Sequence, residues 1–407
     1  MDAQPHPYHR AFCRKNFGIF HYLVHYMNTY SLAAIPLAAF LAFSACSDNP
    51  SPTQPAPSEH LTDTTVHAVV AKWYDNHAAA ITLTYDSGWP AYKTDNKVQM
   101  YARGYGIKID YEIVTSTYRM YPELQDYLKN VIIPLGIGVF GHGDVHVGHY
   151  SMTYEQAYAS FRRCYETMID FGLTPISYAY PGGLAFEEET WRAVADAGFL
   201  SARSFYKEAY LDPYITPDTV IEPPNWYNLP TLVMEEYHIA NCEMCVGSSQ
   251  ELGRYLDETV KRTAWLMPTY HIIYDTDDNI GFYRLSEFNK DLQEIKKRDL
   301  WSATFNEATL YVYERARAGV QAKWKVNEKS EVQSMTINVT DNLNNEKFNQ
   351  PLTILVDIPA SWVGRPLEIY DGKTLVECVI FPSEHAKFSL RPIDREYRIR
   401  PLPPEWH

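Results

Sequence analysis

Residues 79–88 read Ala-Ala-Ile-Thr-Leu-Thr-Tyr-Asp-Ser-Gly, a β-rich apolar run that stops abruptly on a carboxylate and a turn. A strand that delivers an acid at its carboxyl end is the first unit of a longer pattern. Residues 107–114 and 137–140 read as the next two strands. Thr153 then opens a helix, because its hydroxyl can cap the terminus while Gln156, three residues on, reaches back. Tyr154, Tyr158, Phe161, Tyr165 and Met168 recur on one face of that helix, and Gly172 ends it. Strands at 176–180 and 199–203 enclose a helix at 187–197, and an irregular excursion runs to about residue 247. Helices at 250–262, 285–297 and 307–317 alternate with strands at 264–272 and 301–305. Repeated β/α alternation predicts a mostly parallel sheet or a (β/α) barrel with helices outside, whose chemistry sits on loops after the carboxyl ends of the strands. From about residue 320 helical periodicity disappears. Short strand-like runs separated by Asn, Asp, Gly and Pro predict a small antiparallel, sandwich-like β-domain over 320–407.

The amino terminus reads differently. Residues 32–45 are apolar, uncharged and too short to span a bilayer comfortably. They follow Arg14 and Lys15 and end in Phe43-Ser44-Ala45 before Cys46, the order of a secretory signal (1–45) with Cys46 as the acylated first residue of a lipoprotein. Residues 46–65 then form a lipid-anchored linker, rich in Pro, Ser and polar residues, and 66–319 the main domain. The expected location is a bacterial cell envelope, with contact to the membrane through the lipid. The chain carries a formal charge of -14, and the leader holds +2 of the positive charge. An acidic body without a Lys/Arg cluster excludes nucleic acid as a partner. The 32 tyrosines and 9 tryptophans fit a carbohydrate-handling surface as well as a large core. Cys242 and Cys245 form a single C-x-x-C, which an oxidising envelope favours as a local disulfide. Cys164 falls inside a helical apolar pattern and reads as packing.

Three strand ends carry unusual polar groups: Thr84-Tyr85-Asp86-Ser87-Gly88, then His142-Gly143-Asp144-Val145-His146, then His271. Two imidazoles four residues apart can converge on one divalent metal, since neutral imidazole is a good ligand for zinc and its neighbours. The order and spacing of the three segments resemble carbohydrate esterase family 4, the polysaccharide deacetylases. T-Y-D-S-G at 84–88 is similar to the family's T-F-D-D-G. G-I-G-V-F-G-H-G-D-V-H at 136–146 is similar to its histidine motif, and Y-A-Y-P-G-G at 178–183 to its F-A-Y-P-x-G. Gly106-Ile107-Lys108 and Trp301-Ser302-Ala303-Thr304-Phe305 add weaker matches. The likeness covers about residues 78–315.

The resemblance implies a distorted (β/α) barrel that hydrolyses N- or O-acetyl groups on a glycan or polysaccharide. It implies His142 and His146 as metal ligands, most simply for Zn2+, with Asp86 as general base and His271 as general acid. Trp89, Tyr180, Gly182, Arg203 and Trp226 are the residues expected to face substrate, with a backbone N–H near Gly182 helping to hold the oxyanion and Arg203 lending positive charge to Asp86. The chain departs from the family at two points. Ser87 stands where the second aspartate, a metal ligand, is usual, and Ala179 stands where an arginine is usual. Asp86 itself, a water or nothing then completes the metal site. Two other readings compete: a metal-independent amide hydrolase of the same superfamily, and a non-catalytic glycan-binding lipoprotein. Joint retention of Asp86, His142, His146 and His271 favours the enzyme.

Overall fold

The computed structural model describes residues 61–86, 95–183, 185, 187–205, 212–236, 245–275 and 282–402. Cys46, Ser87, Trp89 and Cys242 lie outside them. The alternation read from the sequence becomes a parallel sheet built from β1 (Leu83–Tyr85), β2 (Ile109–Ile113), β3 (Val139–Gly141), β4 (Ser177–Ala179), β5 (Ser201–Ser204), β6 (Leu229–Pro230), β7 (Leu232–Met234) and β8 (Pro268–Tyr270). The order is β7-β8-β1-β2-β3-β4-β5-β6. Its two edges, β6 and β7, are consecutive in the chain with Thr231 alone between them. One chain segment therefore pairs with β5 on one side and β8 on the other, and the sheet closes into a barrel. At its amino-terminal end Ala79–Ile81, which leads into β1, is flanked by Trp265–Leu266 and Leu300–Ser302. The last of these takes below the side that β2 takes above. The barrel is distorted for that reason.

Strand parity decides what faces inward. Leu83, Tyr85, Ile109, Tyr111, Ile113, Tyr178, Ala202 and Tyr270 join the apolar layer under the outer helices. The alternate residues, Thr84, Asp86, Asp110, Glu112, Phe140, Arg203 and Thr269, point into the barrel. Thr84 and Thr269 exchange a hydroxyl bond of 2.7 Å, and Thr231 gives one of 2.7 Å to the Met267 carbonyl, so these three hydroxyls are satisfied as they are buried. The helix Tyr154–Asp170 starts with the expected reciprocal cap between Thr153 and Gln156, and Gly172 follows it at φ +83°. Cys164 is fully buried beneath it. Helices at Asp95–Gly104, Thr115–Met120 and Pro122–Tyr127, which the sequence reading passed over, fill the connections after β1 and β2.

The carboxyl-terminal domain is a six-stranded antiparallel sheet facing a three-stranded one. Residues that the sequence reading gave to the linker and the start of the main domain enter it: Thr62–Val66 pairs with Gly319–Val326, and Ala68–Val70 with Leu352–Asp357. Its apolar core runs on into the barrel base through Trp73, Trp301, Phe305 and Tyr311. The helix Phe305–Arg315 bridges the two. Its Glu314 is fully buried and accepts the Gln350 amide at 3.0 Å, and burial pushes the carboxyl up to about 8. An acid raised by folding stays protonated while the unfolded chain ionises, so stability falls as pH rises from its ordinary value toward 8. Glu314→Gln is expected to recover on the order of 1–3 kcal/mol at pH 8 and little at pH 4. Urea denaturation at the two pH values checks this.

Candidate active site

Parallel register gathers the polar strand ends on one rim. Tyr85 is level with both Tyr111 and Tyr270, so the next residues along, Asp86, Glu112 and His271, stand side by side across β2, β1 and β8. The Asp86 amide donates to the Tyr270 carbonyl at 2.8 Å, and the His142 amide to the Ile113 carbonyl at 2.9 Å. His142 thus enters the same layer from the end of β3, and Arg203 enters from β5. Four of the residues singled out from sequence therefore meet in one place, Asp86, His142, Arg203 and His271, joined by Glu112, which was not among them.

His142 is 3 % exposed, and its Nδ1–H donates to the Ala179 carbonyl at 3.0 Å. A carbonyl only accepts, which fixes the tautomer and leaves the lone pair on Nε2. Burial pushes this imidazole down to about 3, so it is neutral at any physiological pH. Nε2 faces Glu112 Oε2 at 3.1 Å. A lone pair and a carboxylate oxygen at that distance repel unless a proton or a cation lies between them. Donor atoms of Asp86, Glu112 and His142 all fall within 4.8 Å of one another. These donors are oxygen and imidazole nitrogen, a set that suits a divalent first-row metal. The three donors fit a divalent metal, with Glu112 placing a second carboxylate beside that of Asp86. His146 lies beside them with its ring centroid 4.9 Å from that of His142, on the more exposed side and outside the tight group of three.

Asp86 is bound by the Arg203 guanidinium, which has no solvent exposure and sits between the rings of Phe140 and Phe205 at 5.2 and 5.1 Å. Burial alone raises the Asp86 carboxyl, but Arg203, His142 and His271 together outweigh it and hold the group below its ordinary value. Asp86 is therefore an ionised, partnered carboxylate at neutral pH. Across the rim, His271 Nδ1 lies 3.0 Å from Glu235 Oε1, a carboxylate that is itself almost wholly buried just after β7. The rings of Phe205 and Phe282 stand near-perpendicular to the His271 ring, with centroids 5.6 and 6.1 Å away.

Two expected substrate contacts are corrected. Tyr180 is fully buried, with its hydroxyl donating to the Tyr227 carbonyl at 2.9 Å, because strand parity turns it into the helix-facing layer. Trp226 packs on Tyr313 of the helix Phe305–Arg315 and donates to Glu222 at 3.2 Å, which puts it at the barrel base. Gly182 is exposed, at φ +71°, in the turn after β4. Cys245 is disulfide-bonded, as expected for one member of the C-x-x-C. His149 is buried and stacked on Phe161 at 4.2 Å. Glu112 had a signal in the sequence: the strand Ile-Asp-Tyr-Glu-Ile places two acids two residues apart, hence on one face of a buried strand. Glu235 had less, since it falls within a stretch that reads as irregular.

No protein-family model matches the chain, and no curated protein matches it in sequence. Solved structures do match. A protein of Mycobacterium smegmatis assigned to the polysaccharide deacetylases is 16% identical, covering 62% of this chain and 95% of its own, with a TM-score of 0.44. PuuE allantoinase is 11% identical over 59% of this chain and 92% of its own, with a TM-score of 0.43. A pseudoenzyme of carbohydrate esterase family 4 from Bacillus anthracis is 10% identical over 56% of this chain and 65% of its own, with a TM-score of 0.37.

Proposed function

We propose that the chain is a metal-dependent hydrolase that removes acetyl groups from a carbohydrate, held at a bacterial envelope by a lipid on Cys46. The observation that supports it most is the facing pair of His142 Nε2 and Glu112 Oε2 at 3.1 Å, beside an ionised Asp86. Glu112, His142 and His146 would hold the cation, with zinc the first candidate. A bound divalent cation lowers the pKa of water toward neutrality and polarises an acyl carbonyl.

The side chains have distinct tasks. Asp86, kept ionised and aimed by Arg203, accepts the proton of the attacking water. A base must be both deprotonated and within reach, and the buried guanidinium secures the first without occupying both carboxylate oxygens. His271, steadied by Glu235 on one nitrogen, delivers a proton to the departing amine or alcohol from the other. The exposed Gly182 turn offers a backbone N–H to the developing oxyanion. The acetyl group thus leaves as acetate, and the sugar regains a free amine or hydroxyl.

Acetate release from acetylated xylan and from chitooligosaccharides, with and without chelator, tests the reading. Chelator-sensitive release that returns on adding zinc is expected. Chelator-insensitive hydrolysis would point to the metal-independent amide hydrolase, and glycan binding without release to a non-catalytic lipoprotein.

A further inference from the structure

The loop that carries both histidines faces two ways. His142 and His146 turn toward the barrel rim, while Asp144 between them turns back and is 4 % exposed. Its carboxylate accepts the Thr115 hydroxyl at 2.8 Å, pairs with Arg119 Nη2 at 2.6 Å, and has Arg163 Nη1 at 3.6 Å. The backbone repeats the attachment: Thr115 and Ser116 amides, at the start of the helix Thr115–Met120, donate to the Gly143 and Asp144 carbonyls at 3.0 and 2.8 Å. Arg119 also donates to Thr167 at 2.9 Å, which ties the same knot to the helix Tyr154–Asp170. Further along the loop, His149 Nε2 bonds Ser160 at 3.0 Å on that helix.

We infer that Asp144, Arg119 and Thr115 form a latch whose task is to position His146 against His142, and so to set the metal affinity of the site. Gly143, at φ +94°, permits the reversal that lets neighbouring residues face opposite ways. A charge-assisted bond to a planar guanidinium fixes direction as well as distance. Asp144 and Arg119 are positioning residues. They touch neither metal nor substrate, and they act through the loop. The inference rests on the metal-dependent reading above.

Arg119 is half exposed while its partner Asp144 is buried, so Arg119→Gln is the primary test, with Asp144→Asn beside it and Arg119→Lys as the variant that keeps the ion pair. Cobalt(II) is titrated into the chelator-stripped full chain, following affinity and the visible absorption bands, while thermal melting of the metal-free protein is recorded in parallel. Arg119→Gln and Asp144→Asn are expected to bind cobalt about 10-fold more weakly and with altered bands, the loss typical of removing a partner that orients a ligand. Arg119→Lys, which keeps the charge, is expected to recover part of the affinity. Metal-free melting is expected to fall in Arg119→Gln, because buried Asp144 is left with the Thr115 hydroxyl and Arg163 at 3.6 Å, and to stay near that of the parent in Arg119→Lys. Unchanged affinity and bands in Arg119→Gln would overturn the latch, as would a loss of affinity with the parent's bands in both Arg119→Gln and Asp144→Asn, which a loosened fold alone would give. A parent protein that binds no cobalt would overturn the metal reading itself, and the latch with it.

Discussion

Glu112→Gln is expected to weaken divalent-metal binding by about 100-fold or more and to abolish metal-dependent acetate release. Even partners that only orient a ligand are worth about 10- to 100-fold in affinity, and an anionic ligand is worth at least as much. The amide is nearly isosteric, so the fold should survive and the effect should be confined to the ion. A neutral donor would leave the cation with two imidazoles and one weak oxygen. The sequence adds a companion variant. Ser87→Asp in the Glu112→Gln background returns a carboxylate to the place where the resembled family carries it, and is expected to restore part of the affinity. Isothermal titration of the chelator-stripped proteins checks both. If Glu112→Gln binds metal as tightly as the parent, the 3.1 Å contact with His142 holds a proton and nothing more.

The second large effect concerns Asp86, the proposed base. Arg203→Met removes the counter-charge of a carboxylate that is almost wholly buried. Taking one partner from a buried ion pair typically destabilises a protein by about 3–5 kcal/mol, because the other charge is left without compensation. The pH dependence follows from the direction of the shift. Asp86 is held below its ordinary value by Arg203 and the two histidines against the opposing pull of burial. Its pairing therefore stabilises the fold at neutral pH, and that contribution disappears only as pH falls through the depressed value. Without Arg203 the balance tips toward burial and the carboxyl titrates at higher pH. The acidic limb of the pH profile for kcat/KM should move upward, and kcat at neutral pH should fall. Arg203→Lys, which keeps a charge but not the planar fork, should show a smaller move in the same direction. Chemical denaturation and a pH–rate series measure the two consequences separately. An unshifted acidic limb in both variants would mean that Asp86 is not the base.

Much of this architecture was legible before any coordinates. The alternation of β-rich and helical runs narrowed the fold to a parallel sheet or a barrel, the family resemblance favoured the barrel, and the Thr153–Gln156 pair specified one helix start to the residue. Asp86, His142, Arg203 and His271 were legible as candidates because each falls at or near the end of a strand, and the family resemblance suggested roles for the first, second and last. The misses have physical causes. Period-two alternation turns Tyr180 away from the rim, and nothing in Tyr-Pro-Gly-Gly says which face the tyrosine takes. Trp226 lies in a stretch without periodicity, so its end of the barrel could not be read. Residues 62–70 carry too few apolar positions to announce a strand, and they form one because Gly319–Val326 and Leu352–Asp357 offer open edges. Glu112 was hidden by a family pattern that places its carboxylate on the preceding strand. Two acids on one face of a buried strand were the cue, and parallel register sets the Glu112 carboxylate on β2 beside Asp86 at the end of β1.

The most direct measurement is diffraction from crystals soaked in zinc, recorded on both sides of the zinc absorption edge. The account predicts an anomalous peak bonded to His142 Nε2 and to the Glu112 carboxylate at about 2.0–2.2 Å each, with His146 completing the set and Asp86 alongside, still paired with Arg203. A soaked crystal with no peak between His142 and Glu112, or with zinc held elsewhere while those two side chains keep their direct contact, would contradict it.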